Sequence, residues 1–413
     1  MSTPGFVIGN IARGEDFWNR KVELEAIWRA LEKTNVLLKA PRRFGKTSIM
    51  LRVHEKPRDG YKVFFQDTES MREPEEFLSR IIADLLSDST IRKVFSSTGK
   101  FFSDLFKRFE TLEITSENLP EIRLHLRKDL GPDWAEKGDE LIGRLRKYEG
   151  RIIIILDELP MLIKNIERKR GKETSVDFLN RFRSIRLIPG LGHVRWLVGG
   201  SIGIEHVVEQ AGAGTKTIND FENVRVGPFS EMDGRAFINA LLKKEGGISN
   251  APAAAIAHLM KTIGPPVPYF LQILLRECLY LMPSNDPASL NEPLIQKAYQ
   301  EGLLGPANRT YFQHYYTRLK EYYDRDLEIL AKRLLVEVAR EGSVPRSNLL
   351  KLFIAAGEGK FSQDDFSYLM SDLENDFYLS YDSKTGAYGF TMKLLRDWWI
   401  RYYDLVEVEN GSI

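Results

Sequence analysis

The run RIIIILDE, residues 151–158, constrains the fold of this 413-residue chain more than any other segment. Its central residues, Ile152 to Leu156, are all large and apolar, so neither face of a strand here could lie against water. Strands of this kind are typical of the centre of a parallel sheet that helices cover on both sides. We therefore predict a doubly wound α/β domain.

Four more segments have the composition of strands and are separated by helical patterns. They are residues 35–39, 61–67, 193–201 and 223–229. An amphipathic helix over residues 21–33 precedes the first of them, because apolar residues recur there at helical spacing. The predicted α/β core therefore extends over residues 1–230.

The rest of the chain is predicted to form two smaller domains. Residues 231–308 have helical patterns that the prolines of IGPPVP, residues 263–268, interrupt, so we predict a helical lid. Residues 309–413 give three helices and then two short strands around the turn signal SKTG. This is the element order of a winged helix, and a last amphipathic helix closes the domain.

Charge and cysteine content exclude several classes of protein. Fifty-nine Lys and Arg against 58 Asp and Glu leave a net charge of +1, so no general attraction to nucleic acid or anionic lipid is expected. The one cysteine, Cys278, excludes an internal disulfide and fits a reducing compartment. No stretch approaches 18 uncharged apolar residues, so we expect no membrane partner and a cytoplasmic location.

The segment VLLKAPRRFGKTS, residues 36–48, runs from a predicted strand through a tight turn into a predicted helix. Backbone N–H groups at such a helix start can bind a phosphate, Lys46 can reach its β- and γ-oxygens, and the Thr47 hydroxyl can hold Mg²⁺. The predicted phosphate-binding residues are Ala40, Pro41, Arg42, Arg43, Phe44, Gly45, Lys46, Thr47 and Ser48. Ala40 replaces the first glycine of the usual pattern, and the alternative is a strand–turn–helix with a surface lysine.

Two carboxylates follow the isoleucine run and form the second part of the predicted site. Asp157 and Glu158 would emerge at the carboxyl edge of a central strand, where open α/β sheets bind ligands. We predict that Asp157 orders Mg²⁺ through water and that Glu158 polarises the attacking water. Either residue alone could be a helix N-cap, but together with the loop they favour a nucleotide and a P-loop NTPase sheet.

Three more polar residues lie at predicted strand ends. Ser201 could sense the γ-phosphate, although a small residue in a strand-to-helix turn is nearly as good an interpretation. Asp67 or Glu69 could hold Glu158 away from water until a partner binds. Carboxylates at the ends of strands are more often caps or solvated groups.

These motifs carry a resemblance to a known family. APRRFGKTS, LDE and GGS, with FWNRKVELE before them and VRVGPFS after them, resemble the prokaryotic STAND branch of P-loop ATPases, which are relatives of AAA+ and origin-recognition ATPases. The resemblance implies ATP or ADP with Mg²⁺ as ligands. It also implies that Phe17 and Arg20 line the base pocket, with Asn19 where the family has glycine, and that Gly264 and Pro268 of the lid contact the nucleotide.

Arginine placement argues against a cooperative ring motor. AAA+ ring motors place an arginine finger before the fifth strand, but residues 207–224 contain no arginine and only Lys216 among basic residues. Arg181, Arg183 and Arg186 are weaker candidates for a finger that acts in trans. A solvated basic face is the favoured interpretation of these three residues.

The predicted winged helix favours a protein partner over DNA. Its third helix, residues 362–376, carries five carboxylates and no lysine or arginine, so DNA phosphates would repel it. We therefore favour protein contact or self-association through this domain. The basic run KNIERKRGK, residues 164–172, could grip a nucleic-acid backbone or an acidic partner, but a solvated helix end is slightly favoured.

The sequence thus predicts an ATP-binding, slowly ATP-hydrolysing switch whose nucleotide state controls docking of the winged helix on a protein partner. An ATP-dependent DNA-binding adaptor or loader, related to origin-recognition ATPases, is the alternative. A degenerate nucleotide module with a purely structural role is the third interpretation.

Overall fold

A computed structural model of the chain describes residues 4–96, 114–115, 117–200, 203–283 and 286–403. The chain divides into two compact units. The α/β unit is Arg20–Val226, and the helical unit combines the described residues before Arg20 with those after Val226.

The α/β unit is built on a five-stranded sheet in which every neighbouring pair of strands is parallel. The strands lie side by side in the order β2-β3-β4-β1-β5. They are β1 (Asn35–Lys39), β2 (Tyr61–Asp67), β3 (Arg151–Asp157), β4 (Val194–Gly200) and β5 (Phe221–Arg225). The predicted fold class, an α/β protein with a parallel sheet, is confirmed.

Strands β1, β2 and β3 have the predicted bounds, β4 begins one residue later than predicted, and the bounds of β5 differ. The expected span of residues 223–229 was wrong, because β5 pairs with β1 from Phe221 opposite Asn35 to Arg225 opposite Lys39. The Val226 amide still donates to Lys39 O, at 2.8 Å. Gly227 and Pro228 follow, and a proline has no N–H to donate to a neighbouring strand.

Nine α-helices are described in the α/β unit, besides short 3-10 turns. They are α1 (Lys21–Leu31), α2 (Lys46–Glu55), α3 (Pro74–Ser87), α4 (Ser89–Ser96), α5 (Leu119–Leu130), α6 (Trp134–Gly143), α7 (Leu159–Arg170), α8 (Lys172–Arg186) and α9 (Ile204–Gln210).

The centre of the sheet is the core of this unit. All five residues from Ile152 to Leu156 are fully buried, as their lack of a polar face requires. Trp196 of β4 packs edge-on against Phe182 of α8, with ring centroids 5.1 Å apart. Each fully buried isoleucine or leucine of β3 stabilises the fold by about 1.5–3 kcal/mol. The residues at the end of this strand are therefore attached to a well-packed core.

The helical unit contains helices, a π-helical segment (Ala298–Leu303) and a small sheet. Its helices are α10 (Glu231–Gly246), α11 (Ala253–Ile263), α12 (Pro268–Leu281), α13 (Glu292–Lys297), α14 (Thr310–Tyr322), α15 (Arg325–Glu341), α16 (Arg346–Ala356), α17 (Gln363–Asn375) and α18 (Lys393–Tyr403). Its strands are β6 (Ser343–Pro345), β7 (Leu379–Asp382) and β8 (Ala387–Phe390), antiparallel in the order β6-β8-β7.

The last part of this unit has the predicted hairpin and closing helix, but four described helices, α14 to α17, precede the hairpin where three were predicted, and the short strand β6 was not predicted. Helix α17 begins after a capping box in which Ser362 and Asp365 bond to each other's backbone amides. Strands β7 and β8 flank the SKTG turn. The names winged helix and lid, and the three-domain division, stay predictions.

In the part of the chain that the structure describes, each helix is too short or too polar to cross a lipid bilayer.

Candidate phosphate-binding site

The loop between β1 and α2 is shaped by two residues with positive φ. Arg43 has φ 74° and Gly45 has φ 88°, and both lie in the left-handed region. Glycine adopts this conformation without steric cost, which explains its place directly before the helix. Between them Phe44 is completely buried and anchors the loop on the core.

The start of α2 presents backbone amides that could receive an anion. The first four N–H groups of a helix have no partner within it, and Ile49 is the residue whose amide donates to Gly45 O, at 3.0 Å. Among the described residues, no side chain caps this helix start. The amides of the first turn and the positive end of the helix dipole therefore favour a bound anion.

Lys46 links the loop to the acidic pair on β3. Its Nζ lies 3.0 Å from Glu158 Oε1 and 3.3 Å from Asp157 Oδ1, and the lysine is 6% exposed. Its path depends on Gly199 of β4, because a Cβ there would lie 3.1 Å from Lys46 Cδ and 2.7 Å from Met50 Cε. Gly199 belongs to the GGS motif but was not among the predicted site residues.

Hydrogen bonds fix both the side chain and the backbone of Asp157. Its Oδ2 accepts a hydrogen bond from Thr47 Oγ1 at 2.6 Å, and the residue is 3% exposed. Its carbonyl oxygen accepts from the Thr68 amide at 3.0 Å and from Thr68 Oγ1 at 2.8 Å. Thr68 is completely buried directly after β2, and this positioning contact was not predicted.

Glu158 has an unusual backbone conformation. Its φ is 60° and its ψ 34°, which is costly for a residue with a side chain. This turn between β3 and α7 lets the neighbouring Asp157 and Glu158 side chains approach the same ammonium group. The Glu158 amide donates to Asp157 Oδ1 at 3.1 Å, which fixes the first carboxylate further.

Arg20 lies against the loop. It is 5% exposed, its Nη2 donates to Phe44 O at 3.1 Å, and its Nη1 donates to Glu23 Oε1 at 2.6 Å. The other residues predicted to contact the nucleotide are not part of the described α/β unit. Phe17, Gly264 and Pro268 belong to the helical unit, and Ser201 lies outside the described residues.

Asp67 and Glu69 add negative charge near the acidic pair. Both are exposed, and the Glu69 amide donates to Asp67 Oδ1 at 3.0 Å. Burial raises the pKa of Glu69, and repulsion from Glu158 and then from Asp67 raises it further. The carboxylates of this edge therefore repel one another and favour a cation among them.

The three arginines considered for a finger have structural partners. Arg186 is 7% exposed and pairs with Asp220, so it is buried and does not form part of a solvated basic face. Arg181 pairs with Asp139 at 2.6 Å, and Arg183 donates to Asn219 at 3.3 Å.

Two members of the basic run are likewise paired. Lys169 contacts Glu73 and Arg170 contacts Glu75, both at 2.7 Å. These pairs hold the end of α7 against α3.

The oxygens near Lys46 suit a magnesium ion. Mg²⁺ takes oxygen ligands, keeps several waters, and is commonly held by few protein groups together with substrate phosphates. Thr47 Oγ1 and the Asp157 carboxylate supply such oxygens. Within the described ranges, no group of three or more His, Cys, Asp or Glu could hold a metal ion by itself.

The parallel sheet, the glycine turn after β1 and the acidic pair after β3 together define the fold of Walker-type nucleotide-binding proteins. The chain is similar to the structure of a Walker-type ATPase of Pyrococcus abyssi, with a TM-score of 0.59 and 16% identity. The similarity covers 94% of this chain and 97% of that one. At this identity it shows the fold alone.

Two other solved structures match with lower scores. An ORC2 protein of Aeropyrum pernix gives a TM-score of 0.49 at 12% identity, over 92% of this chain and 93% of that one. A STAND protein of Pyrococcus horikoshii with a tetratricopeptide repeat sensor gives 0.34 at 14% identity, over 99% of this chain and 44% of that one. Neither score is high enough to bear on the fold. No protein-family model and no curated protein matches the sequence.

Proposed function

We propose that this protein binds ATP with Mg²⁺ at residues 40–48 and hydrolyses it slowly. The observation that supports this most is the position of Lys46, whose one ammonium group is shared between Asp157 and Glu158 beside a helix start that no described side chain caps. Phosphate oxygens could replace these carboxylates as partners of the lysine. ADP would be held by the same loop.

Each residue has a distinct proposed role. The amides from Gly45 to Ser48 bind phosphate oxygens, and Lys46 neutralises their charge. Thr47 and Asp157 hold Mg²⁺, which supplies neutralisation of charge on the β- and γ-phosphates. Glu158 orients a water and accepts its proton, which its place next to Asp157 supports.

We propose that ATP hydrolysis is slow because the described part of the α/β unit offers no evident arginine finger. No arginine occurs in residues 207–224, and Arg186 is committed to Asp220. Without an arginine at the transferring phosphate, a P-loop enzyme loses several orders of magnitude in rate. Ser201 as a γ-phosphate sensor, and Phe17, Gly264 and Pro268 as nucleotide contacts, remain part of the proposal on the family resemblance alone.

We propose further that the nucleotide state controls docking of residues 309–413, as a winged helix, on a protein partner, with residues 231–308 as a lid. The acidic character of α17 supports a protein partner over DNA. Asp364 is exposed on this helix, whereas Asp365 caps it and Asp376 pairs with Arg318. The exposed acidic surface is therefore smaller than the sequence suggests, but it contains no compensating basic residue.

Calorimetric titration with ATP, with and without Mg²⁺, tests the nucleotide site. Lys46→Ala should weaken ATP binding by about 100-fold or more, because it removes a charge from the phosphate site. Glu158→Gln should retain binding and slow hydrolysis by about 100-fold or more. Lys62→Ala is the matched control, since this lysine of the same unit pairs with Asp88 and should not affect binding. Equal ATP affinity of Lys46→Ala and wild type would refute the proposal.

Titration of duplex DNA binding against salt separates the switch from the adaptor alternative. A weak response that is nearly independent of salt agrees with a protein partner. A steep fall in affinity with salt, present only with ATP, would support the DNA adaptor and contradict the favoured function.

A further inference from the structure

The carbonyl oxygen of Phe44 is fixed from outside the phosphate-binding loop. Arg20 Nη2 donates to it at 3.1 Å, and both residues are buried. Arg20 directly precedes α1 and therefore reaches the loop from a different element. This contact acts on the peptide that joins Phe44 to Gly45.

The direction of that peptide decides where the Gly45 amide points. In a planar trans peptide the C=O and N–H groups point in opposite directions. A carbonyl held toward Arg20 therefore directs the Gly45 N–H away from Arg20. The Gly45 N–H is one of the proposed phosphate donors. Its orientation is thus set by the Arg20 side chain, which binds the carbonyl at the opposite edge of the same peptide.

The buried Phe44 ring anchors one side of this peptide, whereas the Gly45 side is restrained weakly. Gly45 follows it, and glycine tolerates both positive and negative φ, so rotation of the plane meets little steric resistance on that side. Arg43, two residues before Gly45, already has φ 74°, an uncommon conformation for a residue with a side chain. The hydrogen bond from Arg20 therefore favours one orientation of the peptide.

Arg20 is itself restrained to give a fixed direction. Its backbone has φ 68°, and its Nη1 donates to Glu23 Oε1 at 2.6 Å. Because guanidinium is planar and its donors have fixed angles, the bond to Glu23 determines where Nη2 points. Glu23 has a side-chain exposure of 18%, so this pair is shielded from water.

We propose that Arg20 is a positioning residue that aims the Gly45 amide at the phosphate of the ligand, with Glu23 as the residue that orients it. This inference rests on the proposed function. It differs from the role in the base pocket that the family resemblance implies for Arg20. A positioning role acts on the phosphate, whereas a role in the base pocket acts on the adenine.

Inorganic tripolyphosphate separates these two roles because it has the phosphates of ATP and no base. Dissociation constants for ATP and for tripolyphosphate are measured calorimetrically, with Mg²⁺, on the full chain. Arg20→Met should weaken both ligands by the same factor, about tenfold or more, because a charge-assisted hydrogen bond that orders a donor is lost. Arg20→Lys should recover part of the affinity for both, since one ammonium can reach Phe44 O but cannot also keep the geometry of the guanidinium.

Two further variants complete the test. Arg29→Met removes an exposed arginine from the same helix segment and should leave both affinities unchanged. Glu23→Gln keeps Arg20 in place with a weaker orienting bond, and should give a smaller loss that is again equal for both ligands. If Arg20→Met does not fold, Glu23→Gln and Arg20→Lys carry the comparison.

The outcomes distinguish this inference from the proposed function. Loss of ATP affinity with unchanged tripolyphosphate affinity in Arg20→Met would overturn the inference in favour of a base contact. Unchanged affinity for both, while Lys46→Ala loses both, would overturn it and leave the nucleotide site standing. If the wild-type protein binds neither ligand, the proposed function itself fails.

Discussion

The two edges of the parallel sheet both contain buried charges, but they use them differently. At the amino-terminal edge, Arg186 forms a bidentate pair with Asp220, through Nη2 at 2.8 Å and Nε at 2.9 Å. Its guanidinium lies 4.2 Å from the Phe182 ring centroid. Asn35, the first residue of β1, donates to Asp220 at 3.0 Å. In this cluster the charge of Arg186 is balanced by that of Asp220, and the rings of Phe182 and Phe221 cover the guanidinium.

The carboxyl edge has an excess of negative charge. One ammonium group, that of Lys46, faces the carboxylates of Asp157 and Glu158, and Glu69 lies near them. Carboxylates that outnumber their cations can accept a metal ion or exchange the lysine for a phosphate. A neutral, enclosed pair therefore maintains the fold, whereas an unbalanced cluster leaves capacity for a ligand.

The largest expected effect is at the closed edge. Asp220→Ala leaves Arg186 buried without its carboxylate and should lower the free energy of unfolding by about 3–5 kcal/mol. Denaturant titration measures this loss. Glu25→Gln, which removes an exposed pair with Arg58, should change stability by less than about 1 kcal/mol. ATP affinity of folded Asp220→Ala should match wild type, and a selective loss of that affinity would break the comparison.

The same pair predicts an acid dependence. Burial alone would raise the pKa of Asp220, but its bonds to Arg186 and Asn35 outweigh burial and lower that pKa. A lowered folded-state pKa stabilises the protein above the unfolded value of about 4, and this contribution is lost as pH falls through the folded value. Stability of wild type and Asp220→Asn should therefore converge in strong acid. A constant difference down to low pH would contradict the assignment.

An intermediate effect is expected for the hydroxyl at the open edge. Thr47→Val removes the group that donates to Asp157 at 2.6 Å and that we propose as a Mg²⁺ ligand. The ATP dissociation constant with Mg²⁺ should rise by about tenfold, or roughly 1.4 kcal/mol, and much less in the presence of a chelator. Thr47→Ser keeps the hydroxyl and should behave as wild type. An equal loss with and without Mg²⁺ would exclude a metal role.

The smallest effect is expected from the repulsive carboxylate. Glu69→Gln should raise the free energy of unfolding by less than about 0.5 kcal/mol at neutral pH, because water screens exposed charges. Its raised pKa means that ionised Glu69 destabilises the fold, and that protonation relieves this as pH falls. The gain should therefore disappear in acid. A destabilised variant would show that Glu69 has an attractive partner instead.

Much of the α/β unit could be predicted from the sequence. The bounds of β1, β2 and β3 follow from local composition, because each is a short apolar run that ends in polar or charged residues. The approach of Lys46 to Asp157 follows from one physical rule, that parallel strands present their carboxyl ends at the same edge.

Contacts that depend on strand order could not be predicted in this way. Strand patterns do not reveal that β4 lies between β1 and β3, so the role of Gly199 was missed. The bond from Arg20 to Phe44 O was also missed, because its acceptor is a backbone atom that any residue could supply. The burial of Arg186 depends on Asp220, which is 34 residues away in sequence.

The strand order has one more consequence. Lys46 starts beside β1 and meets carboxylates on β3, so its alkyl chain must cross the intervening strand, and it does so over the bare α-carbon of Gly199. One added methyl group at this crossing would press against the Lys46 side chain and shift it without altering any charged group. The approach of the lysine to its carboxylates therefore depends on the lack of a side chain at residue 199, and Gly199→Ala should weaken ATP binding in the same titration that tests Lys46.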